Sequence, residues 1–198
     1  MTNLNEVFKD NEYIEKAEQV NLEEFKKVIT SRRSVRKYSE RKIPNSVVRD
    51  CLTMALLAPN SSNLQPWEFY WIVTPDLRAK INRAFLSQPA ATTASVIIVA
   101  VARTATWKQN AKKMADLIKK QDPFHRALKY YEKIVPLVYN IGPLGIFGKL
   151  KKILFWSRGL FTPTPREQTS KAELRTWAVK STALACQNLM LAFRATGF

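Results

Sequence analysis

Two stretches of this chain read as β-strands, and whatever it folds into has to cover them. Trp67–Val73 (WEFYWIV) is rich in aromatic and β-branched residues. Ser95–Ala102 (SVIIVAVA) shows no polar alternation, which is the pattern of a central strand packed on both faces. Two strands seldom make a stable sheet by themselves. Further strands are therefore expected from a partner, or from a C-terminal portion that this chain lacks.

The rest of the pattern is helical. Leu22, Phe25 and Ile29 form an apolar stripe on a short helix ending near Ser31. Asn45 or Ser46 is placed to cap a helix that buries Val48, Cys51, Leu52, Ala55 and Leu56 and stops before Pro59. Thr74-Pro75-Asp76 is a helix start, with a capping hydroxyl, Pro in the first turn and an acid at the positive dipole end. Two basic helices follow, WKQNAKKMADLIKKQ and PFHRALKYYEKIVPLVYN. Ser170 and Glu173 have capping-box spacing at the head of a long helix, and Gly197 suits the left-handed residue that closes it. Its broad face carries Leu174, Trp177, Ser181, Leu184, Ala185, Asn188, Leu191, Ala192 and Ala195. Residues 140–166, rich in Gly, Pro and aromatics, read as a lid or loop within a basic insertion at about 103–166. No repeat or linker divides the chain, so 1–198 is expected to be one domain.

Charge and rare residues narrow the chemistry. The formal net charge is +16, and residues 103–158 alone carry 13 basic and 3 acidic side chains. Such a segment is a solvated helical face or a field that attracts an anion. Cys51 and Cys186 stand far apart with no CxxC, and His125 is the single histidine. A disulfide scaffold and a zinc site are thereby excluded, and no GxSxG elbow supports a hydrolase. His125 reads as a surface or capping residue. The acidic, helical N-terminus (MTNLNEVFKDNEYIEKAEQ) has no signal-peptide pattern, and the weakly polar run Ile134–Gly148 is short of the ~20 residues a span needs. Free cysteines and no export signal point to the cytoplasm.

Two segments carry chemistry. Ser31-Arg32-Arg33-Ser34-Val35-Arg36 sets three guanidinium groups and a hydroxyl at a helix end, where they suit a phosphate; an ordinary basic surface loop would look the same. Ala58-Pro59-Asn60-Ser61-Ser62-Asn63-Leu64-Gln65-Pro66-Trp67 offers amides and hydroxyls able to read the edge of a flat ring, or to bond one another in an Asx-rich turn. In this order, about 27 residues apart, and with TWAVKSTALACQNLMLAFRATGF at the end, the pair resembles the FMN-dependent nitroreductase family.

The resemblance covers roughly 22–102 and 170–198, and it implies an α+β nitroreductase-like fold. In that fold a central mixed sheet is flanked by helices, and a homodimer binds FMN between its subunits. Arg32, Arg33, Ser34 and Arg36 match the segment holding the FMN phosphate, ribityl chain and pyrimidine end. Arg32 and Ser34 fall on the phosphate side, and Arg36 near the ring N1–O2 edge. Pro59, Asn60, Ser61 and Asn63 match the loop that reaches the flavin from the other subunit. Gln65 would brace that loop, and Gln88 would match a further ring contact. Asn60 stands where many members have Ser, which alters that contact.

The implied activity is ping-pong NAD(P)H oxidation. Hydride passes through flavin N5 to a nitroaromatic, quinone or similar small acceptor, with no indispensable catalytic side chain. No GxGxxG follows a strand, so a separate nicotinamide site is not indicated. Members continue past the long helix with further strands, so a chain ending at Phe198 is expected to be truncated. A non-catalytic flavin binder of the same fold is the alternative. So is a basic nucleic-acid or membrane-surface binder, for which IFGKLKKILFWSRGLF mixes Lys with bulky apolar groups; no specific nucleic-acid motif accompanies it.

Overall fold

The computed structural model describes residues 18–122, 125–164 and 168–198. The N-terminal helix expected from the sequence lies outside these residues except for its last positions. In chain order the elements are α1 (Leu22–Ser31), α2 (Asn45–Leu56), β1 (Trp67–Ile72), α3 (Pro75–Ala84), α4 (Pro89–Thr93) and β2 (Ile97–Ala102). Then come α5 (Trp107–Gln121), α6 (Arg126–Lys129), α7 (Val135–Tyr139), α8 (Ile146–Arg158) and α9 (Lys171–Ala195). The chain divides into two compact units. One is built from Gln19–Pro59, Trp67–Ala102 and Ser181–Phe198; the other includes Asn60–Pro66 and Arg103–Lys180.

In the first unit β1 and β2 pair antiparallel, from Trp67 opposite Ala102 to Ile72 opposite Ile97. The parallel pairing of a mixed sheet is not seen among the described residues, but the class is α+β as expected. Residues directly opposite point to the same face, so Phe69 and Ile98 share a side of the ladder. That side meets helices. Cys51 and Ala55 of α2 and Leu189 and Ala192 of α9 form one buried cluster against which Phe69 and Ile98 pack. Ala58, Trp67 and Ala185 form a second cluster, again against Phe69. The β2 run is less enclosed than its apolar sequence suggests, since Ile97 alone of that strand is buried.

Several sequence-level details are adjusted by packing. The stripe Leu22, Phe25 and Ile29 lies on α1 but is exposed, and α1 buries no residue. On α2, Val48, Cys51 and Ala55 are buried, while Leu56 faces solvent. Neither Asn45 nor Ser46 caps α2; Pro44 is its N-cap residue, and its carbonyl accepts from Val48 N–H. Thr74 precedes α3 without a side-chain cap bond, so Pro75 and Asp76 carry the start signal there. On α9, Leu184 is exposed and Leu189 takes a core place. Gly197 has φ +84°, as a helix-closing residue should.

The second unit holds the basic helices and the segment read as a lid, which contains the 13-residue helix α8. Between α6 and α7, Tyr130–Ile134 is a π turn in which Val135 N–H reaches back to the Tyr130 carbonyl. Pro136 next to it has no N–H to continue the ordinary ladder. His125 caps α6, its Nδ1 accepting from Ala127 N–H at 3.1 Å, which is the capping role read from sequence. At the head of α9 the box is shifted by one residue. Ser170 Oγ accepts from Glu173 N–H, but the Glu173 carboxylate accepts from Thr169 N–H (2.6 Å) and Thr169 Oγ1 (2.9 Å).

Helix α8 is fastened to the chain just before α9. Lys151 is buried, and its ammonium donates to the carbonyls of Leu137 (3.2 Å), Val138 (2.6 Å) and Gln168 (2.9 Å). Three acceptors satisfy all three of its protons. Burial still pushes its pKa down, with Glu173 partly opposing the shift. One turn earlier Gly148 lies so close to the Thr169 carbonyl that any Cβ there would collide with it.

Gly148→Ala is therefore expected to cost about 1–3 kcal/mol, because backbone rather than a yielding side chain must move; urea unfolding at equilibrium checks it. Cys51 is fully buried, and burial raises its thiol pKa, outweighing the bond to Thr196 Oγ1. A folded-state pKa above the unfolded one means that the stabilisation is complete below the usual thiol range and is lost as pH rises through it. In a Cys186→Ser variant, Cys51 should react with Ellman's reagent no faster than the protein unfolds, and at once in denaturant.

Candidate functional site

The two chemistry-bearing segments lie in different units, and each has its own local architecture. In the first unit the basic segment follows the C-terminus of α1. Ser31 Oγ donates to the Lys27 carbonyl and accepts from Arg194 Nε (2.6 Å), which ties the end of α1 to the last turn of α9. Arg33 turns back and donates to the carbonyls of Thr30 and Arg32. A guanidinium on the last carbonyls of a helix satisfies acceptors that have no helical partner and meets the negative end of the dipole. Arg33 thus holds the turn. Arg32, Ser34 and Arg36 make no side-chain hydrogen bond among the described residues; Arg32 is half-buried, while Ser34 and Arg36 are exposed.

Two residues beyond Arg36 the chain is fastened again. Tyr38 N–H donates to Thr93 Oγ1 (2.9 Å), which donates to the Pro89 carbonyl (2.6 Å) at the start of α4. Gln88 is the N-cap residue of α4 and lines a cavity of about 460 Å³ together with Tyr38, Phe85, Leu86, Ala91 and Ile97. This depression is open to solvent and has a mixed lining, in which the Gln88 amide and the Tyr38 phenol are the side-chain polar groups among mostly apolar side chains. Within this unit, then, the structure brings Gln88 next to Tyr38, at the end of the basic segment.

In the second unit the loop after Pro59 is self-bonded. Asn60 Oδ1 accepts from Gln65 N–H (2.7 Å), the Asn60 carbonyl accepts from Asn63 N–H (3.2 Å), and Gln65 Nε2 donates to Asn63 Oδ1 (3.3 Å). Gln65 braces the loop, as the resemblance implied. The Asn60 carboxamide oxygen is spent inside the turn. Leu64 is fully buried beneath it, and its carbonyl accepts from Asn110 Nδ2 of α5 (2.8 Å). Ser61 and Asn63 stay exposed, and so does Pro59 at the edge of the other unit.

Ser62, which the sequence did not single out, is the anchor of this loop. Its φ is +60°, and Asn63 (+47°) and Gln65 (+43°) also sit in the left-handed region that Asn tolerates better than most residues. Ser62 Oγ is 2.6 Å from the Tyr130 hydroxyl and 3.3 Å from that of Tyr139, and Tyr131 Oη donates to the Ser62 carbonyl (3.1 Å). Three phenols converge on one serine and hold the strained turn. Burial, and to a lesser degree its neighbour Tyr130, raise the Tyr131 pKa, so its phenol remains a donor. Tyr139 is buried, its ring in a T-shaped contact with Trp177 (4.7 Å) and stacked toward Trp107 (6.1 Å). The Tyr130-Tyr131 pair in the sequence was the available sign, but its spacing from Ser62 gave no hint of contact. Among the described residues no group of His, Cys, Asp and Glu could hold a metal.

The chain resembles known proteins in sequence and in fold. An 81-residue segment, 41% of this chain, is 37% identical to 47% of an Archaeoglobus fulgidus protein named as an NADH dehydrogenase/NAD(P)H nitroreductase. A 58-residue segment, 29% of this chain, is 41% identical to 24% of the 4-nitrobenzoate reductase of a Nocardioides species. The matched segments thus span less than half the length of these relatives. A protein of Exiguobacterium sibiricum solved in complex with FMN superposes with a TM-score of 0.60, covering 87% of this chain and 70% of that one; at 23% identity it speaks for the fold. Residues 29–198 match the model of the Nitroreductase family, from the end of α1 through the whole of α9, and the chain belongs to that family.

Proposed function

We propose that the protein is an FMN-dependent oxidoreductase that oxidises NADH or NADPH and reduces nitroaromatic, quinone or similar electron-poor acceptors, working as a homodimer. The observation that carries this proposal is the state of the Ser31–Arg36 segment. Arg33 is spent on the end of α1, while Arg32, Ser34 and Arg36 keep guanidinium and hydroxyl donors for a ligand. That donor set fits a dianionic phosphate with a polar chain attached. The family match over 29–198 and the solved FMN complex of a fold neighbour support the same cofactor.

In this proposal Arg32 and Ser34 bind the phosphate, and Arg36 sets positive charge beside the pyrimidine edge of the ring, where it stabilises negative charge. Ser61 and Asn63 of the partner's copy of the loop offer their exposed polar groups to the flavin. Asn60 shapes that loop, its amide oxygen accepting from Gln65 N–H, and Gln88 contributes an amide to the cavity wall it shares with Tyr38. When bound, FMN supplies the two-electron chemistry that links a reduced nicotinamide to the acceptor. No side chain of the protein is given a proton transfer in this proposal.

The deciding measurement is the visible spectrum of the purified protein after incubation with FMN and removal of unbound flavin, before and after anaerobic NADPH and then NADH. Twin flavin bands that bleach with a donor are expected. Bands that persist with both donors would leave a flavin-binding protein without turnover, and no bands would sink the flavin proposal. Arg32→Ala and Arg36→Ala should each weaken FMN binding about tenfold to a hundredfold, the weight of one charge-assisted hydrogen bond. Arg33→Ala should act chiefly on stability. Quenching of FMN fluorescence on titration separates the three.

A further inference from the structure

Helix α8 packs the wrong way round for a globular protein. On a helical projection Gly148, Lys151 and Phe155 share one side, and that side faces the protein; Gly148 and Lys151 are buried and Phe155 is half-buried. The small residue admits the Thr169 carbonyl, and the lysine is consumed by the three carbonyls of Leu137, Val138 and Gln168. The opposite side is apolar and turned to solvent. Ile146, Leu150, Ile153 and Leu154 are each between 51% and 65% exposed, and Phe147 (49%) and Trp156 (58%) lie at the two edges of this face. The face continues past the helix end, where Leu160 is 62% and Phe161 86% exposed. A contiguous patch of this kind marks an interaction surface.

Its charges say what it meets. Lys149 and Lys152 lie along one flank of the apolar face and Arg158 on the other, all exposed. No Asp or Glu occurs anywhere from residue 133 to residue 164. A second copy of this helix would bring like charges together without a compensating acid. An anionic bilayer supplies both an apolar interior and a negative surface, and long cationic side chains flanking the face can reach phosphates while their stems stay buried. Trp156 at the boundary is the side chain that lipid–water interfaces favour. At 13 residues α8 is too short to cross a bilayer, and among the described residues no helix is long and apolar enough to do so. We propose that α8 lies in the plane of an anionic phospholipid surface and docks the protein there through Ile146, Leu150, Ile153 and Leu154, with Lys149 and Lys152 on the headgroups. This surface is independent of the flavin proposal, and its test needs no activity.

Flotation of the full chain with vesicles of phosphatidylcholine alone, or with phosphatidylglycerol added, tests it. Partition onto the anionic vesicles and blue-shifted tryptophan emission are expected. Ile153→Glu/Leu154→Glu and Lys149→Glu/Lys152→Glu should each reduce partition about tenfold or more, through lost insertion and lost headgroup attraction respectively. All four residues are exposed, so the variants should keep the wild-type circular dichroism. Two results would overturn the proposal. One is the absence of anionic partition, including the case where the protein self-associates through this face and Ile153→Glu/Leu154→Glu abolishes that association. The other is partition that Ile153→Glu/Leu154→Glu leaves unchanged, which would reduce it to the attraction of a +16 protein for any anion.

Discussion

A two-stranded ladder buries too little surface to persist in water, so everything in the first unit depends on what covers β1 and β2. That cover is the contact of Phe69 and Trp67 with Ala185, Leu189 and Ala192 of α9, and with Cys51 and Ala55 of α2. Most of these helix residues are small. Alanine and cysteine let the helices approach the aromatic side of the ladder closely, and the large rings fill the space that larger helix residues would otherwise take. The same α9 carries Arg194 to the end of α1, so the position of the basic segment follows from the packing that stabilises the sheet.

The candidate site shows how much polar side-chain work goes into holding backbone rather than ligand. Arg33 closes a helix, Asn60 and Gln65 close a turn, and three tyrosines clamp Ser62. Positive φ at Ser62, Asn63 and Gln65 costs conformational energy, and such backbone persists only when its surroundings over-determine it. The tyrosine cluster supplies that determination. Of the residues that the sequence offered for a ligand, Ser34 and Arg36 in one unit and Ser61 in the other are exposed and not drawn into these backbone contacts, and Arg32 is half-buried beside them.

Helix α8 follows the opposite logic from α2 and α9. Those helices put apolar stripes inward, whereas α8 puts Gly148 and Lys151 inward and leaves its apolar residues outside. Burying an ammonium is tolerable only with its hydrogen bonds made, and the exposed ends of α7 and the chain before α9 provide three carbonyls for it. A periodicity argument would orient this helix by its hydrophobic side, and it would be wrong by half a turn.

The amino-acid sequence by itself determined the elements and the chemistry on offer. Both strands, the helices over 22–31, 45–56, 75–84 and 107–121, and the long C-terminal helix are legible because propensity, caps and apolar spacing act over neighbouring residues. The paired basic and Asn/Ser segments were legible for the same reason, and with them the family. Tertiary structure alone decided which donors are spent and which remain. It decided that Ser62 is tied to distant side chains, that Arg33 belongs to its own helix, and which face of α8 turns inward. Each of those outcomes rests on partners brought from elsewhere in the chain, or on a backbone turn whose geometry packing selects. A linear pattern records the donors and acceptors, but only the fold sets the distances between them.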